Sequence, residues 1–111
     1  MGVLEKQIEN HVLTWLKFKS ILGVKIKTIG TYDQRLGKFR KPSPLYRKGV
    51  SDILGLHEGR FFALEIKSAK GKLSPEQVLF LDDVRSRGGV ALVIRSVEQL
   101  EKYFKQLGWV A

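Results

Sequence analysis

Leu4, Ile8, Val12, Trp15 and Leu16 recur at helical spacing, which predicts an amphipathic helix over residues 3–22. On a wheel of roughly 100° per residue these positions span an arc of about 120°. Glu5 falls inside that arc and Glu9 just past its edge, an odd place for solvated charge. Gly23 is the predicted stop. Val24 to Ile29 opens as Val-Lys-Ile-Lys, the alternation of a half-exposed strand. Periodicity then lapses over residues 30–51, which hold Gly30, Gly37, Gly49, Pro42 and Pro44 and read as a loop. Asp52 to Leu56 and Phe61 to Lys67 read as strands joined by the turn His57–Arg60. Lys70-Gly71-Lys72 is a further turn. Ser74 and Pro75 then open a helix that runs to about Arg87 and ends at Gly88-Gly89. Val90 to Ile94 is a continuous apolar run, as in a buried strand. Ser96 caps a last helix, 97–107, before Gly108.

The predicted order is α-β-β-β-α-β-α. It describes one α/β domain, residues 1–111, with a mixed central sheet of about four strands. There are no internal repeats.

Composition narrows the chemistry. The chain has no cysteine, and its only histidines are His11 and His57. Thiolate zinc sites are excluded, and any metal is expected to have oxygen ligands, as magnesium or manganese does. Lys+Arg number 20 against 11 Asp+Glu, a net charge of +9, which favours a polyanionic partner such as nucleic acid. No long apolar run or signal segment points to a membrane. The loop carries Arg35, Lys38, Arg40, Lys41, Arg47 and Lys48, with Tyr32, Phe39 and Tyr46 among them. Basic groups interleaved with aromatics suit a phosphate backbone and unstacked bases. Lys70 and Lys72 extend this candidate surface. His57 reads as an ordinary turn residue, His11 as a packed one, and Trp15 and Trp109 as core or interface residues.

Strand alternation puts Phe62, Leu64 and Ile66 on one face and Ala63, Glu65 and Lys67 on the other. Asp52 shares a face with Leu54 and Leu56, and a suitable hairpin register brings it against Glu65. Two carboxylates at that range repel unless a cation lies between them. Spacing alone fits a metal site beside Lys67 or an ion pair on a solvated sheet face.

An aspartate followed by Glu-x-Lys on the next strand resembles the PD-(D/E)xK nuclease superfamily. The fuller run resembles the virus-type replication-repair nuclease (VRR-NUC) family, where Gly-Val-Pro-Asp precedes the hairpin and a glutamine opens the next helix. This chain has Gly49-Val50-Ser51-Asp52, Glu65-Ile66-Lys67-Ser68 and Gly71-Lys72-Leu73-Ser74-Pro75-Glu76-Gln77, with Ser51 in the place of proline. The similarity extends from about Glu5 to Leu100.

The resemblance implies a restriction-endonuclease-like core and a Mg²⁺- or Mn²⁺-dependent endodeoxyribonuclease that needs no organic cofactor. Asp52, Glu65 and the Ile66 carbonyl would hold the metal, and Lys67 would orient the attacking water. Gln77 and a first-helix acid would complete the site. That acid is Glu9 by its distance to the apolar helix positions, with Glu5 one turn earlier as the fallback. Gln77 also fits a capping box, Ser74-x-x-Gln77, and the same pattern recurs at Ser96-x-x-Gln99. Cleavage would leave a 5′-phosphate and a 3′-hydroxyl. Small members of this group resemble Holliday-junction resolvases in DNA repair, which implies branched DNA and a two-fold homodimer built with the last helix and Trp109. Their format implies a phage or bacterial origin and a cytoplasmic location. A less selective flap or single-strand endonuclease and a non-catalytic DNA-binding module on the same fold are the alternatives.

Overall fold

A computed structural model describes residues 3–26, 32–39 and 45–111 of the protein. Its elements are α1 (Val3–Phe18), β1 (Leu22–Lys25), β2 (Tyr32–Asp33), β3 (Lys38–Phe39), β4 (Ile53–His57), β5 (Arg60–Ile66), α2 (Pro75–Ser86), β6 (Val90–Ile94) and α3 (Val97–Gln106). Four strands form a mixed sheet in the order β1-β4-β5-β6. β1, β4 and β5 are antiparallel, and β6 runs parallel to β5.

Helices cover both faces of the sheet. Val12 and Leu16 of α1 and Leu100 and Phe104 of α3 pack on Ile53, Phe62, Leu64, Ile66 and Ile94. Leu81 and Val84 of α2 pack on Ala63 and Ala91 from the other side. β5 is therefore buried on both faces from Phe62 to Ile66, and Glu65 is buried with it. Among the described residues, no helix is long and apolar enough to cross a membrane.

α1 ends earlier than its apolar periodicity predicts. Ser20 takes a left-handed φ of 58°, Ile21 N–H donates to Leu16 O and Ser20 N–H to Lys17 O. This is a Schellman stop with serine at the position glycine usually takes. Gly23 stops nothing. It lies in β1, where a Cβ would sit 2.7 Å from Leu16 Cδ1, so its lack of a side chain lets the strand pass close under α1. The buried stripe of α1 is also turned from the expected arc. Leu4 is exposed, while Glu9 is buried in line with Val12 and Leu16. His11, expected to be packed, is exposed.

The region expected to be an unbroken loop contains a short antiparallel ladder, Tyr32↔Phe39 and Asp33↔Lys38. Residues 34–37 turn between the two strands, with Gly37 at φ 64°. Residues 27–29 of the predicted first strand lie outside the described residues.

The hairpin and the later elements follow the sequence closely. Glu58 and Gly59 both take positive φ, 51° and 79°, as a tight two-residue hairpin turn requires. Ser74 Oγ accepts from Gln77 N–H, Gln77 Oε1 accepts from Ser74 N–H, and Pro75 sits at the first position of α2. Trp109 is committed to the core. Its ring packs 4.8 Å from Phe104, 5.8 Å from Phe62 and 5.4 Å from His57. His57 is thus the packed last residue of β4, not a residue of the turn.

Candidate active site

The ladder between β4 and β5 ends at the pair Ile53↔Leu64. One residue further out, β4 has given way to Asp52 while β5 continues. Ile66 N–H, left without a strand partner on that edge, donates to Asp52 Oδ2 at 2.7 Å. A strand residue's N–H and C=O leave the same edge, so the Ile66 carbonyl looks toward the Asp52 side as well. Ile53 and Leu64 point to the α1 face, which turns Asp52 and Glu65 together onto the α2 face. The register required for the two carboxylates to meet is the one present.

Glu65 is only 1% exposed, and among the described residues neither of its carboxyl oxygens makes a hydrogen bond of good geometry, although the carboxyl and backbone of Asp52 lie close enough to act on it. Burial, and after it the facing Asp52 carboxyl, push its pKa from 4.5 up to about 9. Lys67 acts in the opposite direction but does not offset them. Lys67 itself is half-buried, and its N–H donates to Ile94 O at 3.0 Å, which anchors the residue to β6.

The approach to Asp52 is shaped by α2. Arg47 pairs with Asp83 at 2.7 Å and lies 5.2 Å over the Phe80 ring. Together with Phe61, Val84, Arg87 and Gly89 these residues line a cavity of about 220 Å³ near the end of α2. From there the chain runs back along the helix to its first turn. Gly49, at φ 81°, touches that turn so closely that a Cβ would lie 2.4 Å from the Glu76 carbonyl carbon. Only glycine satisfies both the left-handed backbone and the contact. Ser51 follows, fully buried, its hydroxyl without a hydrogen-bond partner among the described residues.

No protein-family model matches the chain, and no curated protein matches it.

Of the expected site residues, the structure brings together Asp52, Glu65, Ile66 and Lys67. Gln77 stands beside Gly49, but its side-chain oxygen is occupied by the capping box. Glu9 goes elsewhere. It is on the α1 side of the sheet, its Oε1 3.0 Å from Lys25 Nζ. The first-helix acid that reaches the end of β5 is Glu5, whose Oε1 accepts from Ser68 N–H at 3.4 Å. Arg35, Lys38, Lys48, Lys70 and Lys72 are exposed, and Arg47 is committed to Asp83 and Phe80. Arg40 and Lys41 lie outside the described residues. Arg95, which no local pattern marks, holds the turn after Lys67 with its guanidinium.

Among the described residues no three His, Cys, Asp or Glu side chains converge. The donors present are two carboxylates and a backbone carbonyl. Magnesium is commonly held by one or two carboxylates, with water and substrate oxygens completing the shell. The Glu65 carboxyl, buried against that of Asp52 without a hydrogen bond of good geometry, is the observation that fits an oxygen-ligated divalent cation.

Proposed function

We propose that this protein is a metal-dependent endodeoxyribonuclease with a restriction-endonuclease-like core, related to the VRR-NUC nucleases its sequence resembles. The observation that carries the reading is the convergence of Asp52 with a buried Glu65 whose polar neighbours are Asp52 and Lys67, at the strand end bearing that lysine. A pair kept only to hold the fold would gain little from a second carboxyl. Asp52 already satisfies Ile66 N–H by itself, and burying a second carboxyl against it costs stability.

Asp52, Glu65 and the Ile66 carbonyl would hold Mg²⁺ or Mn²⁺, which when bound supplies Lewis-acid activation of water and neutralises charge on the phosphodiester. Asp52 contributes as an acceptor already fixed by a backbone amide. Glu65 contributes once it gives up its proton. Lys67 places a cation where negative charge develops on the phosphorus oxygens and orients the water that attacks. Lys48, Lys70 and Lys72 hold the flanking phosphates, with Arg35 and Lys38 on the small β2–β3 ladder.

The test is incubation of branched and linear duplex DNA with the protein and Mg²⁺ or Mn²⁺, with and without EDTA. Metal-dependent cleavage that leaves 5′-phosphates, with branched DNA cut preferentially, is the expected result. Cleavage that survives EDTA would sink the metal reading. Equal cutting of linear duplex would replace junction resolution by a less selective endonuclease. Binding with no cutting would leave a DNA-binding module.

Affinity should fall with salt. Replacing Lys48, Lys70 or Lys72 singly by Ala is expected to lower the slope of log K against log[salt] by about one each. Arg47→Ala should change the slope less and the melting temperature more, because Arg47 is held by Asp83 and Phe80. Equal slopes in all four variants, measured by titration of labelled DNA, would remove this surface from the reading.

Two coordinated cuts require two sites, so the junction reading carries a homodimer with it. Trp109 does not provide the interface, since its ring is packed against Phe104, Phe62 and His57. Exposed apolar side chains lie instead at Leu22, Val24, Leu56 and Phe61, on the sheet face opposite α1.

A further inference from the structure

Lys67 leaves the sheet at the end of β5, where a lysine on a free turn would sample many rotamers. The structure supplies a restraint from a residue 28 positions away in sequence. Arg95 follows β6 directly, and its Nη1 donates to the carbonyl oxygens of Ser68 and Gly71, the latter at 2.9 Å, with Ala69 O at 3.5 Å. Arg95 is itself held, its backbone N–H donating to Gln99 Oε1 at 2.7 Å in the first turn of α3. One cation thus closes the turn 68–71 around itself, and Gly71 N–H donates to Ser68 O at 3.1 Å inside it.

The closed turn sets Gly71 against the Lys67 stem. A Cβ on Gly71 would lie 3.3 Å from Lys67 Cδ, 3.2 Å from Glu5 Oε1 and 3.3 Å from Ser68 Oγ. Glu5 supports the same turn through Ser68 N–H. Gly71 therefore borders the Lys67 stem closely enough that an added methyl would crowd it, and the turn that carries Gly71 is held by Arg95.

We propose that Arg95 is a positioning residue for Lys67, acting through the turn 68–71 and the Gly71 backbone that borders the lysine stem. The proposal rests on the nuclease reading. Arg95 touches neither the carboxylate pair nor the scissile group. It fixes the side chain that does. All three contacts are made by Nη1, so a lysine ammonium that reached the same point could replace part of them.

The experiment compares wild type, Arg95→Ala, Arg95→Lys and Gly71→Ala on one DNA substrate with Mg²⁺ or Mn²⁺. It measures the single-turnover cleavage rate, DNA affinity, melting temperature and amide exchange over residues 67–72. Misplacing a reacting group by about 1 Å can cost about 100-fold in rate. Arg95→Ala is expected to lose 10- to 100-fold in cleavage rate while DNA affinity changes far less, and to exchange faster at Gly71. Arg95→Lys is expected to recover part of the rate. Gly71→Ala is expected to slow cleavage with Arg95 and the turn amides still protected, because it displaces the lysine stem directly. A wild-type cleavage rate in Arg95→Ala or in Gly71→Ala would overturn the proposal. So would a rate loss no larger than the loss of DNA affinity in the same variant. A wild-type protein that cuts no DNA would overturn the nuclease reading itself, and that outcome is distinct from the others.

Discussion

Replacing Glu65 by glutamine is expected to raise the stability of the metal-free protein at pH 7.5, by roughly 4 kcal/mol. The sign follows from the proton. An unfolded Glu65 ionises near 4.5, whereas burial and Asp52 hold the folded group up to about 9. Between those values the folded state binds the proton that the unfolded state has released, so stability falls with rising pH by roughly 1.4 kcal/mol per unit. Below pH 4.5 the group is protonated in both states and nothing is lost. Glutamine keeps the shape, carries no proton to lose and can donate an N–H toward Asp52. For a domain of this size the gain amounts to about 10 °C or more in melting temperature at pH 7.5, and to little at pH 4. Mg²⁺ or Mn²⁺ should reverse the comparison. A cation held by Asp52 and Glu65 would do so in exchange for the Glu65 proton, so on the proposed reading wild type should be stabilised by metal, increasingly from pH 6 to pH 8.5, while Glu65→Gln should respond weakly. Thermal melts across pH with and without metal measure both effects. A glutamine variant less stable than wild type at every pH, or a wild type indifferent to both metals, would exclude the cation site.

What could be read in the chain before its fold was known divides by range. Local chemistry was legible. Ser74 and Pro75 start α2 where cap preference puts them, because the hydrogen bonds that make a cap are made within one turn. Glu65 stood out as a carboxylate inside an otherwise apolar strand, and alternation assigned it a face. The register that brings Asp52 to Glu65 was an expectation resting on the hairpin turn, and the tight Glu58-Gly59 turn fulfils it.

Features decided by distant partners were not legible. Helical periodicity continues past Phe18, but Ser20 ends α1 because Ile21 is drawn into the core beside Leu16. Glu9 matched the expected acid by spacing along α1, yet Lys25 on β1 takes it, and no pattern within α1 encodes that pairing. Arg95 reads in sequence as one surface arginine among many. Only the parallel placement of β6 beside β5 brings it to the carbonyls after Lys67.

Lys67→Ala is expected to reduce the cleavage rate by about 1,000-fold and to leave the fold and DNA affinity nearly unchanged. The backbone of Lys67 is bonded to Ile94 O whatever side chain it carries, so β5 and β6 should pair as before. The lost ammonium is one cation of a chain with net charge +9, so phosphate binding is reduced by little. On the proposed reading, what disappears is a charge placed where the transition state would gather negative charge, and removing one such group typically costs 100- to 1,000-fold in rate. Loss of the proposed water-orienting role would act on the same step. Lys67→Arg keeps the charge but spreads it over a larger plane, away from the single point the ammonium occupies. Arginine should therefore restore only a minor part of the rate, and Lys67→Met, which keeps the stem without the charge, none of it. The decisive measurement is single-turnover cleavage at saturating protein, where binding no longer limits. If Lys67→Ala then cut as fast as wild type, Lys67 would be a strand-end lysine beside a buried carboxyl pair, and the catalytic reading of Asp52 and Glu65 would lose the group that completes it.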